Sequence, residues 1–265
     1  MRKDFERAHV VAHGTVAVLT LNHPETLNAA SVGMVGGLTE ALRHVSDPQS
    51  GFRALVITGE GRGFCSGANL ADADPSAVDA RDTGNALETA YHPLLRRLRD
   101  LNMPIVTAVN GAAAGIGMSI ALMGDIIIAT RSAYFLQAFA RIGLVPDGGS
   151  TWLLPRLIGL ARARELSLLA EKLPAQTALE WGLINRVCDD ATLIDDALAL
   201  ARRLADGPTA TLAMIRQLYR DSPNNSYEVQ IDLERQMQQR AGRTEDFIEG
   251  VTAFLQKRPA KFRGH

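Results

Sequence analysis

An α/β core followed by a helical C-terminal portion is the fold class that this sequence predicts. Three observations carry it. Strand-like apolar runs alternate with segments of helical period up to about residue 190. Four helix-period segments then follow one another with no strand between them. Finally, 265 residues with 46% hydrophobic and 22% charged side chains make an ordinary globular composition, and such a length buries roughly 70–75% of the unfolded surface without a disulfide or metal staple. The expected division is an α/β core over 1–190 and a helical region over 191–265.

Each element has a local reason. Val10 to Leu21 is rich in Val, Thr and Leu and turns at His13-Gly14, so it reads as strand-turn-strand. Ser31 is placed to cap a helix whose Met34, Val35, Leu38, Ala41, Leu42 and Val45 recur at helical spacing. Phe52 to Thr58 is a buried strand. Residues 71–84, with Asp72, Asp74, Pro75, Asp79 and Asp82, read as a polar loop, either a lid or a connector. Asn85 to Leu101 has Leu87, Tyr91, Leu94, Leu95 and Leu98 on one side of a helix. A strand at 104–109, a small-residue helix near 115–123 and a strand at 125–130 follow. The four C-terminal helices are expected at 191–206, 208–221, 226–241 and 244–257, with Pro208 opening the second and Thr244-Glu245-Asp246 the last.

Composition excludes several classes of function. Lys+Arg is 28 against Asp+Glu 29, a net charge of −1, so no global field draws nucleic acid or anionic membrane. Aromatics at 5% provide no base-stacking platform. Cys65 and Cys188 lie in no metal-ligand spacing, and the histidines match none either, so no metal is expected. Two isolated thiols, together with an N-terminal Met1–Arg7 stretch that has no apolar region, point to the cytoplasm. Leu101 to Gly124 carries no charge but is divided by Pro104 and the turn dipeptide Asn110-Gly111, which argues against a membrane span.

Three glycine-rich segments hold the candidate chemistry. Gly59-Glu-Gly-Arg-Gly-Phe-Cys-Ser-Gly-Ala-Asn-Leu70 follows a strand, yet fits neither a dinucleotide-binding fingerprint nor a nucleophile elbow. Cys65 within it reads as a small buried hydrophobe. Val109-Asn-Gly-Ala-Ala-Ala-Gly-Ile-Gly-Met118 runs strand, turn, helix start, and its free N–H groups suit either tight packing or an anion. In Arg141-Ile-Gly-Leu-Val-Pro-Asp-Gly-Gly-Ser-Thr-Trp152, Asp147 suits either a helix cap or a catalytic acid.

In this order, the three segments resemble the crotonase superfamily, the enoyl-CoA hydratase/isomerase family, over nearly the whole chain. The likeness runs from Leu21-Asn-His-Pro-Glu-Thr-Leu-Asn-Ala29 to Ala253-Phe-Leu-Gln-Lys-Arg258. The motif at 142–152 resembles the branch that includes ring-1,2-epoxyphenylacetyl-CoA isomerase and some enoyl-CoA isomerases. The resemblance implies a crotonase-like spiral of ββα units with a C-terminal trimerisation region, a homotrimer or dimer of trimers, and an acyl-CoA thioester as substrate. It implies no separate cofactor, since coenzyme A is part of that substrate.

The resemblance also assigns residues. It places the main-chain N–H groups of Ala68 and Ile116 on the thioester oxygen. It places Thr26, Leu27, Ala29, Ser66, Asn69 and Leu70 along the coenzyme A, with Phe254 and Lys257 reaching it from the last helix. Hydratases of the family use two glutamates, and the matching positions here hold Ser119 and Phe139. Neither side chain is a base near neutral pH. One carboxylate suffices for a 1,3-proton shift, so Asp147 is expected to serve as acid/base in an isomerase. A hydratase and a non-catalytic acyl-CoA-binding oligomer are the alternative readings.

Overall fold

The computed structural model describes residues 1–69 and 83–265. Most of the expected 71–84 loop, and Leu70, lie outside the described residues. In chain order the elements are β1 (Arg2–Phe5), β2 (Ala8–His13), β3 (Val16–Leu21), α1 (Val32–Val45), β4 (Ala54–Gly59), β5 (Gly63–Cys65), α2 (Thr83–Ala86), α3 (His92–Arg99), β6 (Ile105–Val109), β7 (Ala112–Ala114), α4 (Ile116–Ala121), β8 (Ile126–Thr130), β9 (Tyr134–Leu136), α5 (Ser150–Ile158), α6 (Leu160–Leu169), β10 (Leu173–Pro174), α7 (Ala175–Glu180), β11 (Arg186–Cys188), α8 (Leu193–Ala205), α9 (Thr209–Asp221), α10 (Tyr227–Ala241) and α11 (Glu245–Leu255).

The strands form two sheets. One has seven strands in the order β1-β2-β3-β4-β6-β8-β11, antiparallel through β3 and parallel from there on. The other has four, in the order β10-β9-β7-β5, with β5, β7 and β9 parallel. The large sheet explains the continuous apolar runs. Along β3 and β4, side chains alternate between two buried clusters: Ala17, Leu19, Leu55 and Ile57 face α1 and the main core. Val16, Val18, Ala54 and Val56 join Leu193, Ala197 and Ala201 of α8 on the opposite side. A strand covered on both faces has no polar side to show.

Most local expectations match. The first turn pairs His13 with Val16, and Gly14 takes the left-handed backbone (φ +65°) that the turn needs. The Ser31 hydroxyl accepts from the Met34 N–H at 3.2 Å and caps α1. Thr244 caps α11 in the same way, through Phe247.

Two findings differ. The single helix expected over 85–101 is interrupted: a wide π-type turn, Leu87–Tyr91, joins α2 to α3. Pro93 follows it in the first turn of α3, where proline lacks a donor and crowds the carbonyl four residues back, so the ladder widens ahead of it. The small sheet was not foreseen, because strands of two or three residues such as Gly63–Cys65 and Ala112–Ala114 are too short to carry a period. The uncharged 101–124 stretch resolves into β6, β7 and α4. Among the described residues no helix is long and apolar enough to cross a membrane.

Candidate functional site

The small sheet brings two of the glycine-rich segments side by side. Its strands β5 and β7 run parallel, Gly63 opposite Ala112 and Cys65 opposite Ala113. They pack so closely that a methyl group on Gly117 would stand 2.3 Å from the Cys65 carbonyl oxygen. One on Gly111 would stand 2.1 Å from that of Arg62. Just beyond the strands, Gly67 and Gly115 face each other, a Gly115 methyl falling 3.8 Å from Gly67 Cα. Both glycines have positive φ (+110° and +51°), which turns the chain sharply there. Each glycine precedes one of the two expected donors, Ala68 and Ile116. Among the described residues, neither of those N–H groups has a hydrogen-bond acceptor.

The third segment closes over the same place. Gly148 packs against the first turn of α4, where a methyl group on it would lie 2.6 Å from Ile116 Cδ1 and 2.7 Å from Ser119 Oγ. Asp147 is thereby held beside the Ile116 turn. The cap reading of Asp147 is overturned. Gly149 occupies the cap position of α5, and no side chain caps that helix. The Asp147 main-chain carbonyl instead accepts from the Ser150 N–H (3.0 Å), the Ser150 hydroxyl (2.7 Å) and the Ser119 hydroxyl (3.2 Å). Its carboxylate Oδ1 is buried with no hydrogen-bond partner. Burial alone pushes this carboxyl up to about 6.

The positions matching the family's glutamates are filled differently. Ser119 is fully buried and committed to the Asp147 carbonyl. The Phe139 ring stands over Gly115, with Cζ 3.7 Å from where a Gly115 methyl would lie. The thiol of Cys65 is fully buried, and burial pushes it up to about 11, so it is not a nucleophile at neutral pH. The Ser66 hydroxyl donates to the Thr26 carbonyl at 2.8 Å.

Of the expected coenzyme A residues, Thr26, Leu27, Ala29, Ser66 and Asn69 come together. The Ser66 N–H donates to the Leu27 carbonyl (3.0 Å), and Ala30 bridges Ala68 as a parallel pair. Thr26 Oγ1 lies 3.0 Å from His23 Nδ1 and accepts from the Ala29 N–H at 3.3 Å. Phe254 stands in the last turn of α11, 82% exposed, and Lys257 follows the end of that helix. Among the described residues no hydrogen bond or ion pair joins them to the 26–29 or 66–69 segments.

Asn28 is the residue that sequence reasoning missed. It is fully buried. Its side chain accepts from the His23 N–H (2.8 Å) and donates to the Glu60 (2.9 Å) and Gly63 (2.7 Å) carbonyls, tying this loop to the start of β5. The available signal was the Leu27-Asn28 pair, since both residues take left-handed backbone and asparagine tolerates it best among non-glycines. Asn28→Ala is expected to destabilise the protein by about 1–3 kcal/mol, because the part-buried His23 N–H and Glu60 carbonyl lose this partner and the buried Gly63 carbonyl keeps only Asn110. A lowered urea midpoint at unchanged slope is the check.

Comparison with known proteins gives a consistent picture. The family model described as "Enoyl-CoA hydratase/isomerase" matches residues 12–265. The chain is 49% identical over 251 residues, 94% of this chain and 95% of the relative, to "1,2-epoxyphenylacetyl-CoA isomerase" of Escherichia coli (strain K12). It is 43% identical over 249 residues, 94% and 95% of the two chains, to a "Probable enoyl-CoA hydratase" of Rhodobacter capsulatus. Among solved structures, a putative enoyl-CoA hydratase/isomerase from Mycobacterium abscessus superposes with a TM-score of 0.89 at 35% identity, covering 97% of this chain and 100% of the other.

Proposed function

The chain belongs to the enoyl-CoA hydratase/isomerase family and is an enzyme of it; on that premise we propose that it is an acyl-CoA isomerase that moves a proton, and with it a double bond, along the acyl chain of an enoyl-CoA thioester. The observation that carries this reading is Asp147 Oδ1, buried without a hydrogen-bond partner on a half-buried residue whose main chain Ser119 holds against α4, in a site where Ser119 and Phe139 stand in place of a carboxylate pair.

The chemistry follows from charge. Asp147 as carboxylate takes a proton from the carbon next to the thioester. The electron pair moves into the carbonyl and places negative charge on oxygen, giving a dienolate. The N–H groups of Ala68 and Ile116 donate to that oxygen, and one preorganised donor of this kind is worth about 3–4 kcal/mol. The protonated Asp147 then returns its proton to the γ-carbon and the double bond shifts. No water is consumed. An apolar surrounding helps twice: it strengthens both donors, and it brings the acid close to the pH at which it must work.

The other expectations enter on the same footing. Thr26, Leu27, Ala29, Ser66, Asn69 and Leu70 line the coenzyme A, with Phe254 and Lys257 supplied across a subunit contact. The exposure of Phe254 supports that arrangement. Phe247, Ile248, Val251, Phe254 and Leu255 are all exposed on the single helix α11, which supports a homotrimer or dimer of trimers. Light scattering at micromolar concentration tests the assembly, and a monomer contradicts it. Coenzyme A arrives as part of the substrate, and activity that survives dialysis against a chelator is the expected result.

The decisive experiment incubates a panel of acyl-CoA thioesters in D₂O. The panel holds 3-enoyl, 2-trans-enoyl and 1,2-epoxyphenylacetyl esters, the last taken from the name of the 49% identical relative. Isomerised product with deuterium at the α- or γ-carbon is expected. A mass gain of one water on the 2-trans-enoyl ester, without isomerisation, selects a hydratase. Tight binding without any exchange selects a non-catalytic binder. The pH profile adds a signed prediction. The active form is the carboxylate, so kcat/KM rises with pH through an apparent pKa near 6 and levels above it.

A further inference from the structure

We propose that Ser119 and Ser150 are positioning residues that keep the Asp147 carboxyl free to react. The proposal rests on the isomerase reading above. An aspartate three residues ahead of a helical N–H ordinarily turns its carboxylate onto that N–H and caps the helix. Here the donor is present, the Ser150 N–H, but the Asp147 main-chain carbonyl takes it at 3.0 Å. That same carbonyl also receives the Ser150 hydroxyl at 2.7 Å and the Ser119 hydroxyl at 3.2 Å.

Both serines are fully buried, so neither hydroxyl has water as an alternative partner. Three donors on one oxygen fix the peptide between Asp147 and Gly148, and with it the direction in which the side chain leaves the backbone. Gly148 secures the other end of that peptide, at φ +60° and packed on Ile116 and Ser119. The carboxylate is thereby excluded from its usual local use, and Oδ1 stays without a partner. Two elements share the task. Ser150 belongs to α5, which Asp147 precedes, and Ser119 belongs to α4, which also carries the Ile116 N–H. The arrangement thus keys the acid/base to the helix that holds one of the two donors.

Once the hydroxyls are removed, the loop relaxes and the carboxylate can claim the Ser150 N–H or water. Either partner stabilises the charged form, so the group loses basicity as well as aim. No charged side chain contributes to the Asp147 shift, so a change in it reports the surroundings and the hydrogen bonding of this one group.

The test uses the full chain as wild type, Ser119→Ala, Ser150→Ala, the double variant, Ser150→Thr and Asp147→Asn, assayed on whichever thioester the D₂O panel selects. Each alanine is expected to lower kcat about 5–10-fold and the pair about 30–100-fold, the loss of one and two hydrogen bonds read as rate. KM should stay within about twofold, since binding of the coenzyme A portion does not run through these groups. The acid limb of the kcat/KM profile should move to lower pH in the double variant. Ser150→Thr, which keeps the hydroxyl, should restore the rate. A double variant with unchanged kcat and unchanged acid limb overturns the proposal. So does a double variant whose kcat loss is matched by lost folded fraction in circular dichroism while its acid limb stays in place. Turnover retained in Asp147→Asn overturns the isomerase reading instead, so the two failures are told apart.

Discussion

Replacing Asp147 by asparagine is expected to lower proton exchange and isomerisation about 10²–10⁴-fold, the usual contribution of a positioned acid/base. Binding of the thioester should change little, because the amide has nearly the same shape and the N–H groups of Ala68 and Ile116 are untouched. Exchange of the α-proton in D₂O, followed by mass spectrometry, measures the loss. Turnover at the wild-type rate would remove Asp147 from the mechanism.

The same variant carries a stability signature of opposite sense. Asp147 has its carboxyl raised from 3.8 to about 6 by burial. Its folded form therefore holds the proton more tightly than the unfolded form. The cost of ionising it in place is absent below pH ~4, grows as pH rises through about 6, and is constant above that. Asparagine does not ionise, so Asp147→Asn should be more stable than wild type at pH 8. After discounting for partial exposure the gain is about 1–2 kcal/mol. The difference should vanish near pH 4. Paired urea titrations at the two pH values check both size and sign. A catalytic group that lowers activity when removed yet raises stability is held against its own solvation preference.

The second large effect is expected from Gly117→Ala. A methyl group there would meet the Cys65 carbonyl at 2.3 Å, Cys65 Cβ at 2.7 Å and Cys65 Sγ at 2.8 Å. The first of these is main chain and cannot rotate away. Relief requires α4 and β5 to separate, which spreads the Ala68 and Ile116 N–H groups. Losing one aligned donor corresponds to about 10²–10³ in kcat, and the overpacking should cost a further 1–3 kcal/mol of stability, roughly. The control is Gly36→Ala in α1, where a methyl group has open space. It should leave kcat unchanged and add about 0.5–1 kcal/mol of stability as a helical glycine-to-alanine change. A Gly117→Ala enzyme of normal kcat would show that the donor pair does not depend on this contact.

Much of this was legible in the sequence because its signals are periodic or punctuated. Apolar runs marked β2, β3, β4, β6 and β8, and 3.6-residue periods marked the C-terminal helices, to within a few residues, and Ser31 and Thr244 announced their helices. The site was legible only as three separate glycine-rich segments. Their meeting depends on the small sheet, whose strands are two or three residues long and carry no period of their own. The close approaches at Gly111 and Gly117 leave a glycine in the sequence but not the identity of the neighbour. The unpartnered state of Asp147 Oδ1 was likewise out of reach, because it goes with the Ser150 N–H bonding the Asp147 main-chain oxygen, which Ser119 also reaches from another helix. The widened turn at Leu87–Tyr91 was not read from the sequence, although Pro93 stands just after it.

The pairing of β5 with β7 has a consequence for how such enzymes change. Adjacent strands stand about 4.7–4.9 Å apart whatever side chains they carry, so the gauge between two amides that follow the ends of neighbouring strands is set largely by the ladder itself. Point substitutions at 119, 139 or 147 leave that gauge alone. New reactions can then arise by exchanging single side chains above the proposed charge-holding cradle, which no one of those exchanges has to rebuild.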